Sequence, residues 1–189
     1  MIDKVVLASA SPRRLELLRQ IDIEPIVCPA NFEESGGAAT EAEDVVLCNA
    51  LGKCRAVAAE KGEELPVIGA DTVVVIDNVI LGKPANQTEA CEMLQKLSGR
   101  FHEVLTGVAV KYKQQEVAEV VRTKVYFRKL SVTEIQAYVA SGEPLDKAGA
   151  YGIQGKGAIL VEKIEGCYNN VVGLPLTRVY EILAKLGAE

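Results

Sequence analysis

A chain of 189 residues, 49% hydrophobic and 25% charged with a formal net charge of -5, has the balance of a soluble globular protein and the length to bury a sizeable core. The acidic excess argues against broad binding to nucleic acid polymers or anionic membranes, so any phosphate site must be local. Five cysteines without a CxxC pair indicate neither a disulfide framework nor a thiolate zinc site, and a single histidine, His102, excludes a multi-histidine metal centre. Carboxylates must carry any metal or base chemistry, and a reducing cytoplasm is the expected setting.

The first apolar run, Val5 to Ala8 and Ser9, is too short for a signal peptide or a membrane span. It predicts a buried strand over Lys4 to Ser9, followed by a tight turn and a helix with an apolar stripe at Leu15, Leu17, Leu18 and Ile21. The polar stretch Glu33 to Asp44 reads as a loop. Thr40 and Glu43 have capping-box spacing and open the longest helix, Glu41 to about Lys61. Val67 to Ile76 is a strand that turns at Asp77 and Asn78 into Val79 to Leu81. Asn86 and Glu89 open a helix through Leu97, closed by Gly99. Phe101 to Tyr112 and Val117 to Leu130 form long strands joined near Gln114. Ser131 and Glu134 start a helix to about Ser141. After a glycine-rich loop, Ala158 to Ile164 is a strand and Pro175 to Leu186 a closing helix. Interleaved strands and helices with one long hairpin give an α/β fold, a mixed twisted sheet flanked by helices, in a single domain spanning 1–189.

Four segments carry possible chemistry. In SASPRR (Ser9 to Arg14), Ser11 suits an N-cap and Pro12 the first helical position. The helix start with Arg13 and Arg14 then makes a compact anion site, the alternative being a capped surface helix with two solvated arginines. In GADTVVV (Gly69 to Val75), Asp71 interrupts an apolar strand. A buried carboxylate demands a cation, either a metal ion or a basic side chain in a buried pair. In LGKP, Lys83 follows the hairpin and either holds a phosphate or stands in solvent. Lys53, among apolar residues of a helix, either snorkels to the surface or points into a charged cleft. In EPLDKAGAYGIQGKG (Glu143 to Gly157), glycines around Tyr151 and Gln154 allow close backbone approach and suit one wall of a base pocket, or else a flexible loop. His102, a strand residue without an evident partner, reads as structural.

These strings, with KLSGR at Lys96 to Arg100, resemble the Maf family in order and spacing over nearly the whole chain. The resemblance implies a two-lobed fold like that of inosine triphosphate pyrophosphatases, often a homodimer, that hydrolyses dTTP and UTP to the monophosphate and pyrophosphate, with possible house-cleaning of modified nucleotides. It implies Asp71 as proton acceptor. Ser9, Arg13, Arg14, Glu34, Lys53 and Lys83 would line the phosphate and metal region, and Arg13, Thr72 and Gln154 would mark the pyrimidine preference. Glu34 and Asp71 would hold a divalent cation, Mg2+ or Mn2+. Two positions depart from the family pattern: Phe32, where an aliphatic residue is common, and Cys54, where alanine is expected. A nucleotide-binding regulator of septum formation, acting through a protein partner, is the alternative from another functional class.

Overall fold

Strand β1 (Lys4–Leu7) is apolar on both faces and is hydrogen-bonded on both edges. It runs parallel to β2 (Glu24–Val27), with Lys4 opposite Glu24, and parallel to β3 (Val67–Ile76), with Val6 opposite Val67. A strand covered on both faces is expected to read as such a continuous apolar run. Helix α1 (Pro12–Arg19) makes the crossover from β1 to β2. The computed structural model describes residues 4–35, 42–62 and 64–187, so the Thr40–Glu43 capping box lies outside the described residues.

The remaining elements are α2 (Ala42–Lys61), β4 (Val79–Leu81), α3 (Gln87–Leu97), β5 (Phe101–Tyr112), β6 (Gln115–Phe127), α4 (Val132–Ala140), β7 (Val161–Glu165), α5 (Tyr168–Val172) and α6 (Leu176–Lys185). The strands form one mixed sheet in the order β2-β1-β3-β5-β6-β7, with β4 beside β3. The chain divides into two compact units: Met1–Asp71, Thr106–Val121 and Gly173–Glu189 in the first, Thr72–Leu105 and Arg122–Val172 in the second. Among the described residues, no helix is long and apolar enough to cross a membrane.

In the first unit, Val6, Ala8, Ala50, Cys54, Val57, Val67 and Ala109 form an apolar cluster that fastens α2 to the sheet. Helix and strand come into backbone contact at Gly69: a Cβ there would lie 2.3 Å from the Ala50 carbonyl oxygen and 2.8 Å from Cys54 Cβ. Cys54 fits this close approach as a small apolar side chain whose Sγ lies 3.2 Å from the Val67 carbonyl, and burial pushes its thiol up to about 12. Phe32 also has a packing role, since its ring lies over Gly52, where a Cβ would come within 2.2 Å of it. Both departures from the family pattern are thus accommodated where α2 meets its neighbours.

The second unit packs Leu94, Leu97, Val104, Phe127, Ile135, Tyr138 and Tyr151 into its own cluster. Its hairpin β3–β4 turns on Asp77 and Asn78, both at positive φ (52° and 59°), the conformation two-residue hairpins require and that Asp and Asn tolerate. Both expected side-chain caps form: Asn86 accepts from the Glu89 N–H, and Ser131 with Glu134 makes a full capping box.

Several expectations need correction. Strand β2 was not predicted because Pro25 breaks the pattern; β2 is an edge strand, where a missing N–H is tolerated. Helix α5 is only five residues long, too short for an apolar period to show. The strand expected over Ala158 to Ile164 starts at Val161, because residues 155–160 wind as a 3-10 turn. Strand β6 begins at Gln115 and ends at Phe127, since the chain leaves the ladder before Leu130 to reach the Ser131 cap.

Candidate active site

In the first unit Arg14 bonds to Ser9 and to the Ala70 carbonyl beside Asp71, while Lys53 joins Glu34 to Asp71. Ser11 is the N-cap residue of α1 and Pro12 its first residue, as expected, but the Ser11 hydroxyl makes no capping bond. The Ser11 N–H instead donates to Ser9 Oγ at 3.2 Å, and Arg14 Nη1 donates to the same oxygen at 3.0 Å. Arg14 is tied further to the backbone, with Nη1 at 2.9 Å from the Ala70 carbonyl and Nε at 2.8 Å from the Gly173 carbonyl. It is therefore a strut between the turn after β1, strand β3 and the segment before α6, as well as a cation. Burial lowers its pKa, the Asp71 and Glu34 carboxylates oppose that shift, and the neighbouring Arg13 adds to it. A guanidinium stays charged through such a change.

Asp71 is 8% exposed on β3. Its Oδ1 receives the Lys53 ammonium at 2.8 Å, and its Oδ2 receives the Asn49 amide at 2.9 Å. Asn49 and Lys53 stand one turn apart on α2, which places both on the face that lies against β3. Lys53 also reaches Glu34 Oε1 at 2.6 Å. The alternatives for these residues thus converge: Lys53 points into a charged site, and Asp71 is matched by a basic side chain. Two carboxylates meeting at one ammonium are also the donor set a hard divalent cation needs. Among the described residues no group of three or more His, Cys, Asp or Glu gathers for a metal. A cation at Glu34 and Asp71 would have to complete its shell with phosphate oxygens and water, a habit of magnesium, so the residues fit such an ion.

Asn49 was not singled out from the sequence. The available signal was its spacing: a polar side chain four residues before Lys53, on the apolar face of a helix.

The other expected site residues belong to the second unit. Thr72 follows Asp71 on β3 and is half-buried, while Lys83 is exposed in the loop after β4. The neighbouring Gly82 carbonyl accepts the Gly149 N–H at 3.0 Å, tying that loop to the glycine-rich segment. Gln154 is exposed and precedes the 3-10 turn at Gly155. This segment is ordered by Glu143, whose carboxylate accepts from Tyr138 Oη at 3.0 Å, the Lys156 N–H at 3.0 Å and the Gly157 N–H at 3.1 Å. Partial burial pushes the Glu143 carboxyl upward, but these donors outweigh it and hold the group below its ordinary range. His102 is a core residue: Nε2 lies 2.7 Å from Tyr151 Oη, the ring packs edge-on against Phe127 and Tyr151, and burial lowers its pKa to about 3.

Fold and site together define a class: an α/β protein with a buried carboxylate clamped between a lysine and an amide, beside an arginine-rich helix start suited to anions. Among solved structures, the Ham1 protein of Staphylococcus aureus aligns over 84% of this chain and 79% of its own with a TM-score of 0.50 at 16% identity, a likeness of fold. The chain belongs to the Maf family, whose description is Maf-like protein and whose model matches residues 4–186. A dTTP/UTP pyrophosphatase of Dictyoglomus thermophilum is 50% identical over 190 residues, covering 99% of this chain and 98% of that protein. A dTTP/UTP pyrophosphatase of Bacillus thuringiensis subsp. konkukian is 50% identical over 186 residues, covering 98% and 97%.

Proposed function

We propose that this protein is a nucleoside triphosphate pyrophosphatase that hydrolyses dTTP and UTP to the monophosphate and pyrophosphate, with Mg2+ or Mn2+ held by Glu34 and Asp71. The observation that carries the reading is the Asp71 carboxylate, buried in a strand, shared between Asn49 and Lys53, and joined through Lys53 to Glu34. The dTTP/UTP pyrophosphatases of Dictyoglomus thermophilum and Bacillus thuringiensis subsp. konkukian, each 50% identical to this chain, support the substrate class.

A divalent cation, when bound, supplies charge neutralisation on the triphosphate and a more acidic water. Asp71 accepts the proton of the attacking water. Ser9 Oγ already accepts from Ser11 and Arg14, so its own hydroxyl proton is the part left to donate to a phosphate oxygen. Arg13, Arg14, Lys53 and Lys83 stabilise the charge that grows on the leaving pyrophosphate, the main task in phosphoryl chemistry.

The pyrimidine preference is assigned to Arg13, Thr72 and Gln154 on side-chain chemistry. A glutamine amide pairs with a carbonyl and the ring N–H of uracil or thymine together, and an arginine, which only donates, opposes the amino group of cytosine. The test is to measure specificity constants for UTP, dTTP, CTP and GTP. The wild type should cleave UTP and dTTP well ahead of the others, and Gln154→Ala should flatten that ranking more than it lowers the best rate. A wild type that prefers GTP, or an unchanged ranking in the variant, would place base recognition elsewhere.

A further inference from the structure

We propose that Asn49 is a positioning residue that fixes the two acidic elements of the site against each other; this rests on the pyrophosphatase reading of that site. Asn49 is 2% exposed. Its Nδ2 donates to Asp71 Oδ2 at 2.9 Å, while its Oδ1 accepts from the Ser35 N–H at 2.9 Å and from Ser35 Oγ at 3.0 Å. Ser35 directly follows Glu34, so one side chain holds the general base on one side and the backbone next to the second acid on the other.

The amide is locked one way round. Turned over, Oδ1 would face a carboxylate oxygen and the Nδ2 hydrogens would face the Ser35 N–H, so both contacts would become repulsive. With Oδ2 engaged by Asn49 and Oδ1 by Lys53, the plane of the Asp71 carboxylate is set by two donors one helical turn apart. The short side chain of Asn49 reaches β3 because the helix lies directly on Gly69. Asn49 holds the carboxylate through an oxygen that Lys53 does not use. A buried amide carries a desolvation cost that an apolar residue of similar size avoids, so a role in packing alone would not need one here.

The test compares Asn49→Ala, which removes both contacts, with Asn49→Asp, which has the same shape and keeps an acceptor for Ser35 but turns the donor toward Asp71 into a second carboxylate. In Asn49→Ala, kcat for UTP should fall about tenfold or more, the loss expected for one hydrogen bond to a charged group, with KM changed by less than about threefold. Hydrogen exchange at the Ser35 amide should accelerate in the same variant. In Asn49→Asp, kcat should fall at least as far while Ser35 keeps its protection; this variant decides the matter should Asn49→Ala fail to fold. A folded variant of either kind with kcat within about twofold of wild type would overturn the inference. If the wild type released pyrophosphate from no triphosphate, the functional reading would fail by itself. Unchanged Ser35 exchange in Asn49→Ala would overturn the positioning role independently of any activity.

Discussion

Asp71 and His102 are both polar residues set into apolar strands, and the two units of the molecule treat them in opposite ways. Asp71 is met by donors on both sides, Lys53 and Asn49 each taking one of its oxygens. His102 gives up its charge: burial takes its pKa to about 3, its Nε2 pairs with Tyr151, and its Nδ1 has no hydrogen-bond partner. The difference lies in the neighbours. Donors and cations from a facing helix preserve a buried charge for chemistry, whereas aromatic rings enforce neutrality and make the same kind of interruption part of a core.

The sharpest way to break this contrast is Asp71→Asn, which keeps shape and loses charge. Its rate of pyrophosphate release with magnesium should fall by about a thousandfold, within the span expected for losing a general base, with the fold intact by circular dichroism. Arg14→Ala comes next. It removes bonds to Ser9 Oγ, Ala70 O and Gly173 O, so it should cost about 1.5–3 kcal/mol in urea unfolding as well as about tenfold or more in turnover. Arg13→Ala should slow turnover by about tenfold or more, the cost of one charge-assisted hydrogen bond. If both arginine variants keep wild-type kinetics at moderate salt, the helix start is not the anion site.

Gly69→Ala probes the backbone contact that lets α2 present Asn49 and Lys53 to Asp71. The added methyl group meets the Ala50 carbonyl, so the variant should lose about 1–3 kcal/mol of stability, and turnover should fall with it. An alanine variant as stable and active as wild type would show that α2 need not lie so close.

The smallest effect on turnover belongs to His102, which acts on stability through pH. Its folded pKa lies below its unfolded value, so the unfolded chain binds the proton first, and the stability it contributes is present above about pH 6.5 and lost as pH falls toward 3. Between pH 7 and pH 5 this amounts to about 2 kcal/mol. His102→Asn should show a correspondingly flatter decline in urea stability over that interval, with kcat close to wild type. An equally steep decline in the variant would show that other groups set the acid sensitivity.

How much of this was legible depends on the range of the interaction. Asp71, Lys53 and Arg14 stood out because each breaks an apolar or capping pattern within a few residues; Lys53 meets Asp71 directly, and Arg14 holds the Ala70 carbonyl next to it. Caps at Asn86 and Ser131 and the Asp77–Asn78 turn were equally legible, being set by neighbours in the chain. Asn49 passed unnoticed because an asparagine on a helix is unremarkable until β3 is brought against it. The order of the segment around Gln154 was hidden for the same reason: it comes from Glu143, whose carboxylate closes on residues 13 and 14 positions further along. Strand β2 was obscured by Pro25, whose missing N–H matters only if one knows which strand lies at the edge.

The central claim is that the carboxylate centre at Asp71 directs water onto the α-phosphorus of a pyrimidine triphosphate, so that pyrophosphate leaves. Hydrolysis of UTP in 18O-labelled water with magnesium, followed by mass spectrometry of both products, tests it most directly. The account predicts one labelled oxygen in UMP, unlabelled pyrophosphate, and no product from Asp71→Asn on the same timescale. Label in pyrophosphate, release of orthophosphate, or equal turnover by Asp71→Asn would contradict it.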